Sequence, residues 1–125
     1  MAREVVSTND AAPPGEVFSQ GIKSLGLLFT TQVGLTPSGQ IVSGSVEEQA
    51  TQALENTQAV VRAAGGDLVD VIQVTIYLTD LADAPAVNAV YAKFFPPPPP
   101  SRACVQVAAL PQGLRIELSA IARIQ

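Results

Sequence analysis

Five consecutive prolines, Pro96 to Pro100, interrupt the C-terminal part of this chain. Proline has no backbone N–H and holds φ at about −65°, so neither a helix nor a central strand runs through such a stretch. Whatever precedes Pro96 must stop there, and whatever follows Pro100 must restart in extended geometry. The run predicts a stiff polyproline II connector inside a folded domain. A ligand for an SH3 or WW groove would place the same residues outside one.

Upstream of the prolines, Asp80 or Asp83 can cap a helix that tolerates Pro85 in its first turn. Val87, Val90, Tyr91, Phe94 and Phe95 form its buried side. An earlier and clearer helix spans Ser45 to Ala64. Ser45 and Glu48 make a capping box, and Gly65-Gly66 supply the stop. Val46, Ala50, Ala53, Leu54, Thr57, Val60, Val61 and Ala64 give it one apolar face.

The other segments read as strands: Arg3–Thr8, Val17–Lys23, Leu25–Leu35, Val69–Leu78, Arg102–Leu110 and Leu114–Ile124. The second and third predict a hairpin turning near Ser24-Leu25-Gly26. The apolar first half of Leu25–Leu35 predicts a strand buried on both faces. Thr36-Pro37-Ser38-Gly39 is a turn signal. On the last strand, Leu114, Ile116, Leu118, Ala120 and Ala122 share one face. The order is three strands, helix, strand, helix, two strands. It predicts one domain over residues 1–125, an α+β sandwich with two helices on one face of a mixed sheet.

The second sheet face then needs cover. With 47% hydrophobic and only 14% charged residues, another copy of the chain is the simplest cover. The net charge of −4 and the lack of any basic run do not suit nucleic acid. There is no His, the commonest general base and metal ligand, and a single Cys allows no intrachain disulfide or cysteine metal cluster. No stretch is long and apolar enough for a signal peptide or a membrane span, so a soluble cytoplasmic protein is expected. No glycine pattern resembles a phosphate cradle.

Two charged residues remain as candidates for chemistry. Arg102 opens a strand directly after the rigid connector. That position suits a bidentate grip on a carboxylate, and also a solvated surface arginine. Glu117 lies mid-strand, sharing its face with Arg115, Ser119 and Ile121. It is either part of a wet face near Arg115 and Arg123, or a carboxylate that orients or deprotonates water. The Pro111-Gln112-Gly113 turn predicts that the last two strands are neighbours. They would then bring Arg102 and Glu117 into one site, directly or across a subunit boundary. Cys104, on the face of Arg102, is a small hydrophobe or a pocket-lining thiol.

The segment from Pro100 to Pro111, PSRACVQVAALP, followed by RIELSAIA from Arg115 to Ala122, closely resembles the C-terminal signature of the RidA/YjgF family of reactive intermediate deaminases. Ala12-Pro13 with Phe18-Ser19-Gln20, Gln49 to Gly65, and Val87 to Tyr91 with Phe94-Phe95 resemble the family's N-terminal loop and its two helices. The resemblance implies a chorismate-mutase-like fold and a homotrimer with sites at the subunit clefts. It implies hydrolysis of 2-aminoacrylate-type enamines and their imine tautomers to 2-keto acids and ammonia, with no metal or organic cofactor. Arg102 would bind the carboxylate of this small substrate, and Glu117 would position the water. Ala103, Cys104, Phe18, Thr30, Thr31 and Asn88 would be substrate-binding.

Phe18 stands where the family has a tyrosine, and Thr30-Thr31 where it has Ser-Gly. A hydroxyl is therefore lost, and Thr31 is expected to crowd a wall that glycine leaves open. These changes suit a divergent imine or enamine, aminomuconate-like or biosynthetic, as an alternative substrate. A ligand-binding trimer without turnover is the non-catalytic alternative.

Overall fold

In the computed structural model, which describes residues 2–125, six strands and two helices follow the order expected from the sequence. They are β1 (Glu4–Val6), β2 (Gly21–Ser24), β3 (Leu27–Val33), α1 (Val46–Ala63), β4 (Val71–Leu78), α2 (Ala84–Phe94), β5 (Ser101–Gln106) and β6 (Ile116–Arg123). The sheet order is β1-β2-β3-β6-β4-β5. Every pairing is antiparallel except β4–β5, which is parallel and is joined by the α2 crossover. This is the expected α+β mixed sheet with both helices on one face. No helix among the described residues is long and apolar enough to cross a membrane.

Helix α1 begins as its capping box dictates. The Glu48 backbone N–H donates to Ser45 Oγ, and Glu48 Oε1 accepts from the Ser45 N–H. It ends at Gly65, whose φ of 99° needs glycine. The apolar face named above is buried against the sheet, and three polar residues are buried with it: Gln49, Asn56 and Thr57. Each has a task. Gln49 donates to the Val42 carbonyl and accepts from the Arg115 N–H. Asn56 donates to the carbonyls of Val33 and Leu35, fixing the end of β3. The Thr57 hydroxyl donates back to the Ala53 carbonyl within the helix.

Several expectations change. The last two strands are not neighbours, because β4 lies between them. After β5 the chain straddles the end of β4: the Val107 N–H donates to the Leu78 carbonyl, and Thr79 donates to that of Arg115. The reason is burial. Ile116, Leu118, Ala120 and Ala122 are buried and suit the sheet centre, whereas β5 is mostly exposed and suits an edge. β3 is not buried on both faces: it alternates, and Phe29 is 46% exposed.

The second strand is confined to Gly21–Ser24, leaving Val17 and Phe18 in an exposed loop. The fifth stops at Gln106, short of Leu110. The hairpin turns where expected, with Leu25 and Gly26 both at positive φ, 53° and 76°. The Val69–Leu78 alternation is reset by a bulge between Val71 and Gln73 that turns Ile72 outward. Asp80 caps a short turn, Leu81–Asp83, ahead of α2, and Pro85 lies in the first turn of that helix. The proline connector is bent at Pro97 and Pro98 rather than one straight rod.

Asn56 satisfies two carbonyls that no other side chain reaches by hydrogen bond. Asn56→Leu keeps the size but removes both hydrogen bonds, the Val33 carbonyl keeping only that from the Leu35 N–H, so it is expected to destabilise the fold by about 1–2 kcal/mol. Urea unfolding at matched protein concentration measures this, and a loss below about 0.5 kcal/mol contradicts the assigned role.

Candidate active site

Strand β6 presents Glu117, Ser119 and Ile121 to the open face of the sheet, because the alternate residues fill the core. By register, Val33 of β3 and Tyr77 of β4 flank Glu117, while Thr31 and Thr75 flank Ser119. A groove of about 590 Å³ opens here, lined by Phe18, Thr31, Gln112, Leu114, Glu117 and Ser119 among others. Phe18 lies over Gly15, where a Cβ would come within 2.6 Å of its ring.

Thr31 and Ser119 pair through their hydroxyls at 2.8 Å, so the Thr31 side chain is held on the groove wall next to Glu117. Thr30 touches the groove, but its hydroxyl is buried and donates to the Gln20 carbonyl at 2.6 Å. Gln20 in turn ties the N-terminal loop together through Thr8 and Ala12.

Glu117 is half-buried, and burial pushes its carboxyl above the ordinary glutamate value. No cation among the described residues offsets this. Arg115 is engaged by Asp83 at 3.0 Å, and Arg123 lies about 20 Å further along the strand. Glu117 is therefore not part of a charge-paired outer face.

Arg102 lies elsewhere. It pairs with Val74 at the edge of the sheet and points to the helix side. Its guanidinium carbon is 4.7 Å from the centroid of the Tyr91 ring. Cys104, two residues on, shares this face and packs half-buried against the core. Asn88 is exposed on α2, one turn before Tyr91. Ala103 is exposed on the opposite face.

A single copy thus holds two separate groups. Phe18, Thr30, Thr31 and Glu117 gather at the open-face groove; Arg102, Cys104 and Asn88 gather at the α2 corner. Direct convergence of Arg102 and Glu117 within one chain is ruled out, since β4 separates their strands and they face opposite sides of the sheet. Among the described residues, the ion pairs are Arg62–Asp67 and Arg115–Asp83, so both candidate charges are unspent. Sequence reasoning missed the Ser119 hydroxyl and the contact between Tyr91 and Arg102. Only pairing register and helix packing reveal them.

A family model described as Endoribonuclease L-PSP matches residues 8–124. The chain belongs to the RidA/YjgF family. This RidA/YjgF chain is 46% identical to Reactive Intermediate Deaminase A, chloroplastic, of Arabidopsis thaliana, over 99% of its own length and 67% of that protein's. It is 42% identical to the 2-iminobutanoate/2-iminopropanoate deaminase of Homo sapiens, over 98% and 90% of the two chains. Among solved structures, E. coli TdcF with bound serine superposes with a TM-score of 0.92 at 36% identity, over 98% of this chain and 99% of that one.

The raised Glu117 value has a thermodynamic sign. Burial makes the folded state hold this proton more tightly than the unfolded chain does. The associated stability is full below the ordinary glutamate value and is lost as pH rises through the folded value. Glu117→Gln is therefore expected to melt higher than the parent at about pH 7 and to match it near about pH 4. Thermal scans at the two pH values decide; a glutamine variant that is less stable at neutral pH contradicts the uncompensated burial.

Proposed function

We propose that this chain is an imine deaminase, hydrolysing 2-aminoacrylate-type enamines through their imine tautomers to 2-keto acids and ammonia. The observation that carries this reading is that Arg102 and the half-buried Glu117 both stay out of the ion pairs found among the described residues, Arg62–Asp67 and Arg115–Asp83. The printed names of the Arabidopsis and human relatives support the reaction class. The serine in TdcF supports a small carboxylate-bearing ligand.

The chemistry asks little of the protein. The guanidinium of Arg102 grips the substrate carboxylate in two parallel hydrogen bonds. The carbon of the protonated imine is electrophilic and needs only a positioned water. The water oxygen bonds to that carbon while a water proton passes to Glu117. The amino nitrogen of the resulting carbinolamine is then protonated, the C–N bond breaks, and the hydroxyl proton is lost as the carbonyl forms. One water is consumed and one ammonia released. No electrons are exchanged, so the step calls for no redox cofactor. Burial makes Glu117 a stronger base than a solvated glutamate, which suits this role.

The two charges meet only if different copies supply them. The proposed assembly is a homotrimer of chorismate-mutase-like subunits, with sites in the subunit clefts, as the family resemblance implies. The apolar side chains of Val5, Phe29 and Val105, 65%, 46% and 42% exposed on the open face, give such an interface its surface.

With 2-iminopropanoate generated in situ, the protein is expected to accelerate pyruvate and ammonia release over buffer. Arg102→Ala is expected to lower kcat/KM by about a hundredfold or more, chiefly through KM. Glu117→Gln is expected to lower kcat by about 10²- to 10⁴-fold. The acid limb of the parent's pH profile should lie above the ordinary glutamate value and vanish in Glu117→Gln. No acceleration by the parent protein rejects the activity, and an unchanged Arg102→Ala rate rejects the anchor.

A second reading, a bulkier or more polar imine, is favoured by the Thr31–Ser119 hydroxyl pair beside Glu117. If Thr31 crowds small imines, Thr31→Gly should raise kcat/KM for 2-iminopropanoate several-fold. An unchanged or lower value argues against crowding.

A further inference from the structure

We infer that Tyr91 is a positioning residue: the face of its ring holds the Arg102 guanidinium ready for the substrate carboxylate. The inference rests on the reading of Arg102 as the anchor. Arg102 is exposed on an edge strand and joins no ion pair among the described residues. A long side chain so placed loses rotamer freedom when it binds, which weakens binding unless something holds it beforehand.

The Tyr91 ring meets that need. At 4.7 Å from guanidinium carbon to ring centroid, it is well within the reach of a cation–π contact. The ring itself is fixed. Tyr91 is only 6% exposed and packs on Phe95, one helical turn on, with ring centroids 4.7 Å apart. Ring and arginine also belong to one crossover unit, α2 and the strand it delivers, so their relation is built into the connection.

The geometry suits a binding site better than an ion pair would. A carboxylate partner inside the chain would occupy the donors that the substrate needs. Contact with the ring face supplies no acceptor oxygen, so the guanidinium keeps N–H donors for a two-pronged grip. Hydrogen bonding within the chain does not account for the tyrosine. Its hydroxyl is buried and meets no partner among the described residues. Burial raises the phenol's pKa and the Arg102 charge opposes that rise, so the ring and the cation feel each other.

The test is a series at Tyr91: Phe, progressively fluorinated phenylalanines, and Leu. The fluorinated rings keep the shape while draining the ring's negative face, so they separate the loss of the ring face from any loss of packing in Leu. Calorimetric binding of pyruvate reads the anchor directly, and turnover of 2-iminopropanoate gives KM and kcat. Tyr91→Phe is expected to bind within about threefold of the parent, with affinity falling stepwise on fluorination. Tyr91→Leu should raise Kd and KM about five- to tenfold with kcat little changed. Arg102→Ala serves as reference. A flat fluorination series, with binding still lost in Arg102→Ala, overturns the inference alone. If Tyr91→Phe weakens binding as much as Tyr91→Leu, the hydroxyl and not the ring face acts, and the inference fails. If Arg102→Ala binds pyruvate like the parent, the anchor reading falls and the inference with it.

Discussion

The two-residue alternation of β6, hydrogen-bonded on both sides at the centre of the sheet, is the constraint on which the remaining structure depends. Its even-numbered residues from Ile116 to Ala122 are almost wholly buried against the helices, and its odd-numbered ones face away. A slip of one residue would expose that apolar set and bury Glu117 and Ser119 in its place. Register therefore does more than close the core. It sets Thr31 opposite Ser119 and places Val33 and Tyr77 on either side of Glu117, a carboxylate that burial has made more basic.

The helix layer supports that strand with polar contacts as well as apolar ones. Gln49 reaches from α1 to the backbone of Arg115 at the entry to β6, and Asn56 holds the last turn of chain beyond β3. Both are buried amides whose hydrogen bonds are made. Glu117 is the contrast: it is desolvated and gains no counter-charge. A fold that satisfies its buried amides yet leaves a carboxylate uncompensated has kept that cost where chemistry can use it.

Much of this was legible from residue pattern. The capping box at Ser45, the glycine stop at Gly65 and the alternation from Leu114 to Ala122 were local signals, and local physics decided them. Strand adjacency was not. A Pro-Gln-Gly turn looks the same whether the chain folds back beside β5 or steps over β4, and only the competition for the buried centre of the sheet settles which. The face of Arg102 relative to Glu117 depends on that adjacency, so the site's division was invisible too. Likewise, Tyr91 was readable as a core residue of α2, but its contact with Arg102 joins positions that only the crossover brings together.

If the proposed assembly joins them, two charges on opposite faces of one sheet also make concentration a control. Under the proposed arrangement, a copy on its own carries an anchor on one side and a base on the other with nothing to join them. Activity then follows the square or cube of subunit abundance near the association threshold and becomes simply proportional above it. Synthesis rate and dilution would thereby act as a switch, without any effector molecule or moving part.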